Sequence, residues 1–290
     1  MRHSLFASLQ WNKLGCSLHN GYNLINADGL FCVACRLPDL DSSSYASTIK
    51  SNEVIRNEGA VVFPFASNTF YSAETEQLEV IFEAVANQFK TQQLILPFYP
   101  EQYLKRIPEK WKTTSVEKVG SYTFFECEYS SFADYQASLS KNARRSSRKE
   151  LARFFSAHFD FDILAGSEAL ESYLTVINEV ERERYRIFFA EIVKADQIQP
   201  ISFVCSVSGS PIAVSLGLVF EHELYMRNFN CSDHMRRDSS TYFALCLYMP
   251  IEFCIERELR YLNSGIGADD AKIRRGLCEV PQVVLAVESN

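Results

Sequence analysis

Apolar residues recur along this chain with two spacings, alternating in some stretches and falling every three or four positions in others. The clearest series lies in the second half. Three runs of strand character, Ile201 to Val207, Ile212 to Phe220 and Leu224 to Asn230, are separated by Ser208-Gly209-Ser210-Pro211 and Glu221-His222-Glu223. Connections that short join antiparallel neighbours, so the series predicts an antiparallel meander. A polar loop, Cys231 to Asp238, then leads into a long helical run, Ser240 to Glu258. Pro250 predicts a kink inside it, because proline lacks an N–H and crowds the preceding turn. A short strand at Tyr261 and Leu262 and the loop Gly265-Ile266-Gly267-Ala268-Asp269-Asp270-Ala271-Lys272 follow.

Upstream, helical periodicity opens at Ser131, where Ser131-Phe132-Ala133-Asp134 has the pattern of an N-terminal cap. Phe132, Tyr135 and Leu139 mark its apolar face, and two more helices are predicted over Asn142 to His158 and Glu168 to Arg186. The first half alternates strands and helices. Its strands are predicted at Leu30 to Arg36, Glu53 to Ile55, Ala60 to Phe65, Gln93 to Leu96 and Ser121 to Tyr129. Its helix spans Glu74 to Phe89, with Leu78, Ile81, Phe82, Val85 and Phe89 on one face. The expectation is an α/β protein of two closely packed halves, 1–130 and 131–290, each a mixed, largely antiparallel sheet flanked by helices.

A length of 290 residues accommodates two modest domains, and 47% hydrophobic with 22% charged residues describes a globular chain with a core. The net charge of −7 disfavours nonspecific attraction to nucleic acid or an anionic membrane, so a polyanionic ligand must meet a local basic patch. Met1 to Phe6 begins like a signal peptide, but Ser8, Gln10, Asn12 and Lys13 interrupt the apolar run. No window approaches the roughly 18 apolar residues of a membrane span. These features predict a cytoplasmic protein with no membrane partner. The nine cysteines are scattered through apolar runs and read as small buried hydrophobes. Cys32-Val33-Ala34-Cys35 has a metal- or redox-type spacing but lies inside a strand-like run, and no metal site is predicted.

Several residues stand out chemically. Lys141, Arg145 and Lys149 share a helical face, as do Arg144 and Arg148, with Arg153 extending the run and Glu150 opposing it. Such a stripe suits a phosphate-rich donor, or is a solvated helix face. Arg236, Arg237 and Ser239 precede the long helix, where unpaired N–H groups and cations favour phosphate, although the serines equally suit capping. Alternation puts Asn228 and Asn230 on one face of their strand and Arg227 on the other. Tyr242, near the helix start, is placed to donate a hydrogen bond or proton. Glu181, Asp269 and Asp270 are candidate general bases, alongside a base held by the substrate.

From Phe132 to Gly276 the chain resembles the BioF2-like acetyltransferase group of the GNAT superfamily, which is related to the Fem peptidyltransferases that use aminoacyl-tRNA. Three blocks carry the likeness: Phe132 to Arg145, Ser208-Gly209-Ser210-Pro211-Ile212-Ala213, and Gly265-Ile266-Gly267 with Lys272 and Gly276. The resemblance implies two GNAT-like halves, with a cleft in the second half or between them. It implies transfer of an activated acyl group to a small-molecule or peptide amine. Acyl-CoA, a carrier-bound acyl group or aminoacyl-tRNA would then be a co-substrate, with no tightly bound cofactor. It also implies that Lys272 stabilises the oxyanion formed at the donor carbonyl, and that Arg227, Asn228 and Asn230 border the acyl site. The glycine-free loop departs from the usual pyrophosphate-binding pattern and leaves tRNA or a carrier protein open as donor carrier. A noncatalytic GNAT-like binding or assembly protein is the reading from another class.

Overall fold

Strands and helices alternate through a computed structural model that describes residues 12–13, 16, 21–27, 30–39, 49, 59–63, 75–157, 159–195, 197–232, 235 and 239–290. The chain divides into two units, Met1–Tyr122 with Val280–Asn290, and Thr123–Glu279. The predicted strand at Glu53 to Ile55, the end of the run to Phe65, the N-terminal segment to Trp11, and Arg236 and Arg237 lie outside the described residues.

The first unit holds β1 (Asn23–Ala27), β2 (Leu30–Arg36), β3 (Ala60–Phe63), β4 (Gln93–Pro100), most of β5 (Trp111–Glu126) and most of β11 (Cys278–Ser289). Their order across the sheet is β1-β2-β3-β4-β11-β5. Strands β3 and β4 are parallel and need a crossover, which α1 (Thr75–Phe89) supplies. Its predicted face is the buried one, packing against Ile25, Ala34, Leu94, Leu96, Val283 and Leu285. The strand expected to stop at Leu96 continues to Pro100. The register pairs Leu96 with Leu285 and Tyr99 with Val283, so Pro97 and Phe98 together face the single residue Val284. This bulge tolerates the proline's missing N–H, and Phe98 takes a positive φ of 56° within it. Cys32 and Cys35 are buried in β2 as free thiols.

The second unit runs from the end of β5 through β10 (Tyr261–Gly265), β9 (Glu223–Cys231), β8 (Ser210–Phe220) and β7 (Ile198–Val207) to β6 (Asp160–Ala165), in that spatial order. The meander β7-β8-β9 is antiparallel as expected. The hairpin between β7 and β8 turns on Ser208 and Gly209, both at positive φ, the hand that matches strand twist. Strand β10 is parallel to β9 and antiparallel to β5. Helix α2 (Phe132–Ser138) is capped by Ser131 and α3 (Lys141–Ser156) by Ser140. The single helix expected over Glu168 to Arg186 is two, α4 (Gly166–Val176) and α5 (Glu179–Val193). Ile177 is extended there, and the Asn178 side chain accepts from the Glu181 N–H at 2.9 Å, so capping chemistry ends the continuous periodicity.

The long helix comes in three pieces: α6 (Ser239–Phe243), a π-helical turn (Ala244–Tyr248) and α7 (Met249–Glu256). Pro250 explains it. An α-helical turn would direct an N–H from position 250 to the Cys246 carbonyl, and proline has none. The Met249 N–H instead reaches back five residues to the Ala244 carbonyl, widening the turn. Helices α3, α6 and α7 cover one face of the sheet, where Phe203 meets Phe253 edge-on. Helix α4 covers the other, where the Ser202 hydroxyl donates to the Ala169 carbonyl at 2.7 Å.

Candidate functional site

The geometry of interest starts with a misfit between two strands. The β8–β9 register pairs Leu216 with Asn228 and Gly217 with Met226, so Arg227 is an extra residue and forms a β-bulge. Gly217 permits this, since a Cβ there would lie 2.8 Å from Leu224 Cδ1 and 3.2 Å from Met226 Sδ. On its other side β9 pairs with β10 only from Glu223–Tyr261 to Tyr225–Asn263. Among the described residues β10 offers no ladder partner beyond Tyr225, and the sheet opens at that point. The bulge also interrupts the strict alternation expected to set Arg227 opposite Asn228 and Asn230.

Past the opening, β10 ends in a loop held by Lys272. Ala268 takes a left-handed conformation, φ 54°, at the start of α8 (Asp269–Ile273). Lys272 is 3% exposed, and its ammonium donates to the carbonyls of Ser264 at 2.7 Å and of Gly265 and Ile266 at 3.5 Å. The side chain is therefore neither solvated nor idle; it braces the loop. Burial lowers its pKa from the usual lysine value, while Asp269 and Cys246 pull it back up.

The π-helical turn presents polar groups toward the same place. The Ser215 hydroxyl on β8 donates to Cys246 Sγ at 3.5 Å. Burial pushes the Cys246 thiol up to about 12, against the pull of Ser215 and Lys272. Tyr242, edge-on to Phe229 and Phe243, is likewise pushed up to about 12 by burial, then by Cys246 and Asp269. Both groups thus keep their protons at neutral pH, beside one carboxylate and one ammonium.

A charged node lies behind this cluster. The Arg275 guanidinium donates to Glu150 at 2.5 and 3.3 Å, to the Tyr248 hydroxyl at 2.8 Å and to the Ala271 carbonyl at 2.7 Å, with its Cζ 3.6 Å from the centre of the Phe243 ring. Tyr248 donates to Glu150 at 2.5 Å, and the Tyr135 hydroxyl donates to the Arg275 carbonyl at 2.8 Å. Helices α2 and α3, the π turn and α8 are tied together here. An open depression of about 620 Å³ adjoins the node, lined by Phe243, Ala268–Ala271, Arg274 and Arg275.

Of the residues singled out in the sequence, Lys272, Tyr242 and Asp269 come together. Asn228 and Asn230 face the other side of the sheet: Asn228 donates to the Tyr185 hydroxyl at 2.9 Å, and Asn230 hydrogen-bonds Tyr173. Burial, then Tyr185, raises the Tyr173 pKa, with Glu181 a weaker contributor. Glu181 itself is exposed in the α5 cap. Ser239 is exposed at the start of α6. Arg145 and Arg148 project outward from α3, whereas half-buried Arg144 donates to the Leu139 carbonyl at 3.2 Å. Sequence reasoning passed over Arg275, Tyr248 and Cys246, and took Glu150 only as the acid opposing the basic stripe. One signal was available, in that Glu150 is the single acid in a strongly basic helix.

Comparison with known proteins agrees with this architecture. The sequence profile of the FemAB-like family, described as peptidoglycan biosynthesis/recognition, matches residues 65–287. The chain belongs to the FemAB-like family. FemX superposes with a TM-score of 0.62 at 9% identity, over 99% of this chain and 92% of FemX. The C-terminal domain of a putative lysylphosphatidylglycerol synthetase from Agrobacterium fabrum gives 0.61 at 10% identity, over 98% and 88%. The L-PGS of Bacillus licheniformis gives 0.57 at 11%, over 95% and 86%. At these identities the likeness concerns the fold alone; with the family match it bears out the Fem-related part of the resemblance that the sequence blocks suggested. No curated protein sequence matches the chain. Among the described residues no helix is long and apolar enough to cross a membrane.

Proposed function

We propose that this FemAB-like protein transfers an activated acyl or aminoacyl group to an amine, forming an amide, at the opening where β9 leaves β10. The observation that carries this reading is the opening itself. Backbone groups along the unfilled strand edge can pair with an extended, amide-bearing ligand, as a further strand does. The cluster of buried Lys272 with half-buried Tyr242 and Asp269 then stands beside the ligand's end.

In this reaction the amine nitrogen bonds to the donor carbonyl carbon, the carrier leaves with its electron pair, and the amine proton passes to a base. Tyr242 keeps its proton at neutral pH and supplies it, or a hydrogen bond, to the departing carrier. The Lys272 ammonium fixes the loop of Ser264 to Ile266 and sets a positive charge near the developing oxyanion. Asp269, whose charge acts on both Lys272 and Tyr242, takes the role of base. Asn228 and Asn230, engaged by Tyr185 and Tyr173 on the other side of the sheet, take no part in this site, and Arg227 stands at the bulge beside the opening.

An aminoacyl-tRNA donor is favoured over acyl-CoA by one feature: Cys231 to Asp238 contains no glycine, so its backbone is poorly suited to close approach to a pyrophosphate. The family description supports a peptide-type amine as acceptor. The test is transfer of a radiolabelled amino acid from charged tRNA to peptide amines, with acetyl-CoA and longer acyl-CoAs as parallel donors. Label in an amide product supports the reading. Turnover only with an acyl-CoA would reassign the donor. No turnover and no thermal stabilisation by any donor would make the protein a noncatalytic binding module.

A further inference from the structure

Helix α3 sorts its side chains by charge. Its inner arc holds Ala143, Arg144, Ser147, Glu150, Leu151 and Phe154, all buried or half-buried. Its outer arc exposes Lys141, Arg145, Arg148, Lys149 and Arg153, five cations. The helix's single carboxylate, Glu150, is turned inward and engaged by Arg275. Every charged side chain of the outer arc is therefore a cation, on a protein whose net charge is −7.

A second feature lies at the C-terminal end of that arc. Phe155 is 59% exposed, although its neighbour Phe154 is buried. Phe154 lies 6.2 Å from Phe161 of β6 between ring centres, so β6 runs alongside this end of α3. Alternation places Ile163 on the same side of β6 as Phe161, and Ile163 is 42% exposed. The cationic arc thus ends at exposed Phe155, with exposed Ile163 on the strand that runs alongside that end of the helix.

We propose that the outer face of α3, with Phe155 and Ile163, docks this protein on an anionic membrane surface. Cations on one helix face are drawn to anionic headgroups, and the apolar side chains at its margin enter the boundary between headgroup and acyl chain. A nucleic-acid duplex offers the cations the same attraction, but its bases are paired and stacked and leave nothing for an isoleucine and a phenylalanine to enter. The proposal is independent of the transferase reading, because the face lies outside the opening and binding needs no turnover.

The experiment is cosedimentation with vesicles of phosphatidylcholine, alone or mixed with phosphatidylglycerol. Binding to the anionic vesicles should exceed binding to the neutral ones by about tenfold or more, and should weaken as salt is raised. Replacing Arg145, Arg148 and Lys149 together with alanine should cost about tenfold, and Phe155→Ser alone about fivefold, with unchanged circular dichroism in both. Absence of binding to anionic vesicles overturns the proposal. So does binding that Phe155→Ser leaves intact and a short RNA duplex competes away, which would assign the arc to nucleic acid.

Discussion

In the first unit the interior around α1 is aliphatic and aromatic: Leu78, Ile81, Phe82 and Val85 meet Leu94, Leu96, Val283 and Leu285. In the second unit the interior admits a lysine and an arginine, each less than a tenth exposed, with the glutamate that pairs the arginine. Burying ions is costly, and apolar replacements of such pairs are often as stable or more so. The second unit therefore carries an arrangement that stability alone does not require. The node fixes the π turn against α8, where Tyr242, Cys246, Asp269 and Lys272 converge. On the function proposed above, the first unit is the scaffold and the second the working part.

Four substitutions bear on that contrast. Phe82→Ala in the first unit should cost about 3–5 kcal/mol in urea unfolding, since it empties a fully buried site that meets Trp111 edge-on at 5.4 Å. Turnover per folded molecule should stay unchanged; a matching loss of turnover would break the division of labour. Glu150→Ala should cost about as much, 3–5 kcal/mol, because it strands a buried guanidinium. The double variant Glu150→Leu/Arg275→Met should regain most of that stability yet remain slow in amide formation. If the double variant turns over normally, the node is structural only.

Lys272→Met removes an ammonium from three carbonyls and should cost about 1–3 kcal/mol. Single-turnover rates should fall about a hundredfold, with donor affinity changed less. A variant with normal single-turnover rates would leave Lys272 as a loop brace alone.

The smallest effect is a matter of pH. The Cys246 thiol rises from an ordinary 9.0 to about 12 in the fold. Between those values the unfolded chain gives up a proton that the folded chain keeps, so this contribution is complete below pH 9 and is lost as pH climbs toward 12. Cys246→Ala lacks it. The stability gap between parent and variant should narrow above pH 9 and stay flat around pH 7. A gap that widens with pH would contradict the burial assigned to the thiol.

The meander, the capped helices α2 and α3 and the amphipathic α1 were legible because period and turn chemistry agreed in each. The split between α4 and α5 was not, since apolar spacing continues smoothly through Ile177 and only the Asn178 cap breaks it. Strand β4 outran its predicted end because a bulge absorbs Pro97. Lys272, Tyr242 and Asp269 could be named as candidates from their place in the closing loop and helix start. The burial of Lys272 could not, because it depends on neighbours far away in sequence, as does the pairing of Glu150 with Arg275 across 125 positions. Cys246 looked like an ordinary apolar filler until the π turn, itself a consequence of Pro250, set it beside Ser215.

Strand β11 also matters for how the chain is made. It lies between β4 and β5 in the sheet, yet in the chain it follows every element of the second unit. While a ribosome is still translating the residues of the second unit, β4 has no β11 to pair with, and its edge stays open until Cys278–Ser289 emerges. The whole of Thr123–Glu279, by contrast, is contiguous and can close first. The unit that is begun first is thus finished only after the second, and a nascent chain must keep an apolar strand edge from other partners while all of Thr123–Glu279 is being made.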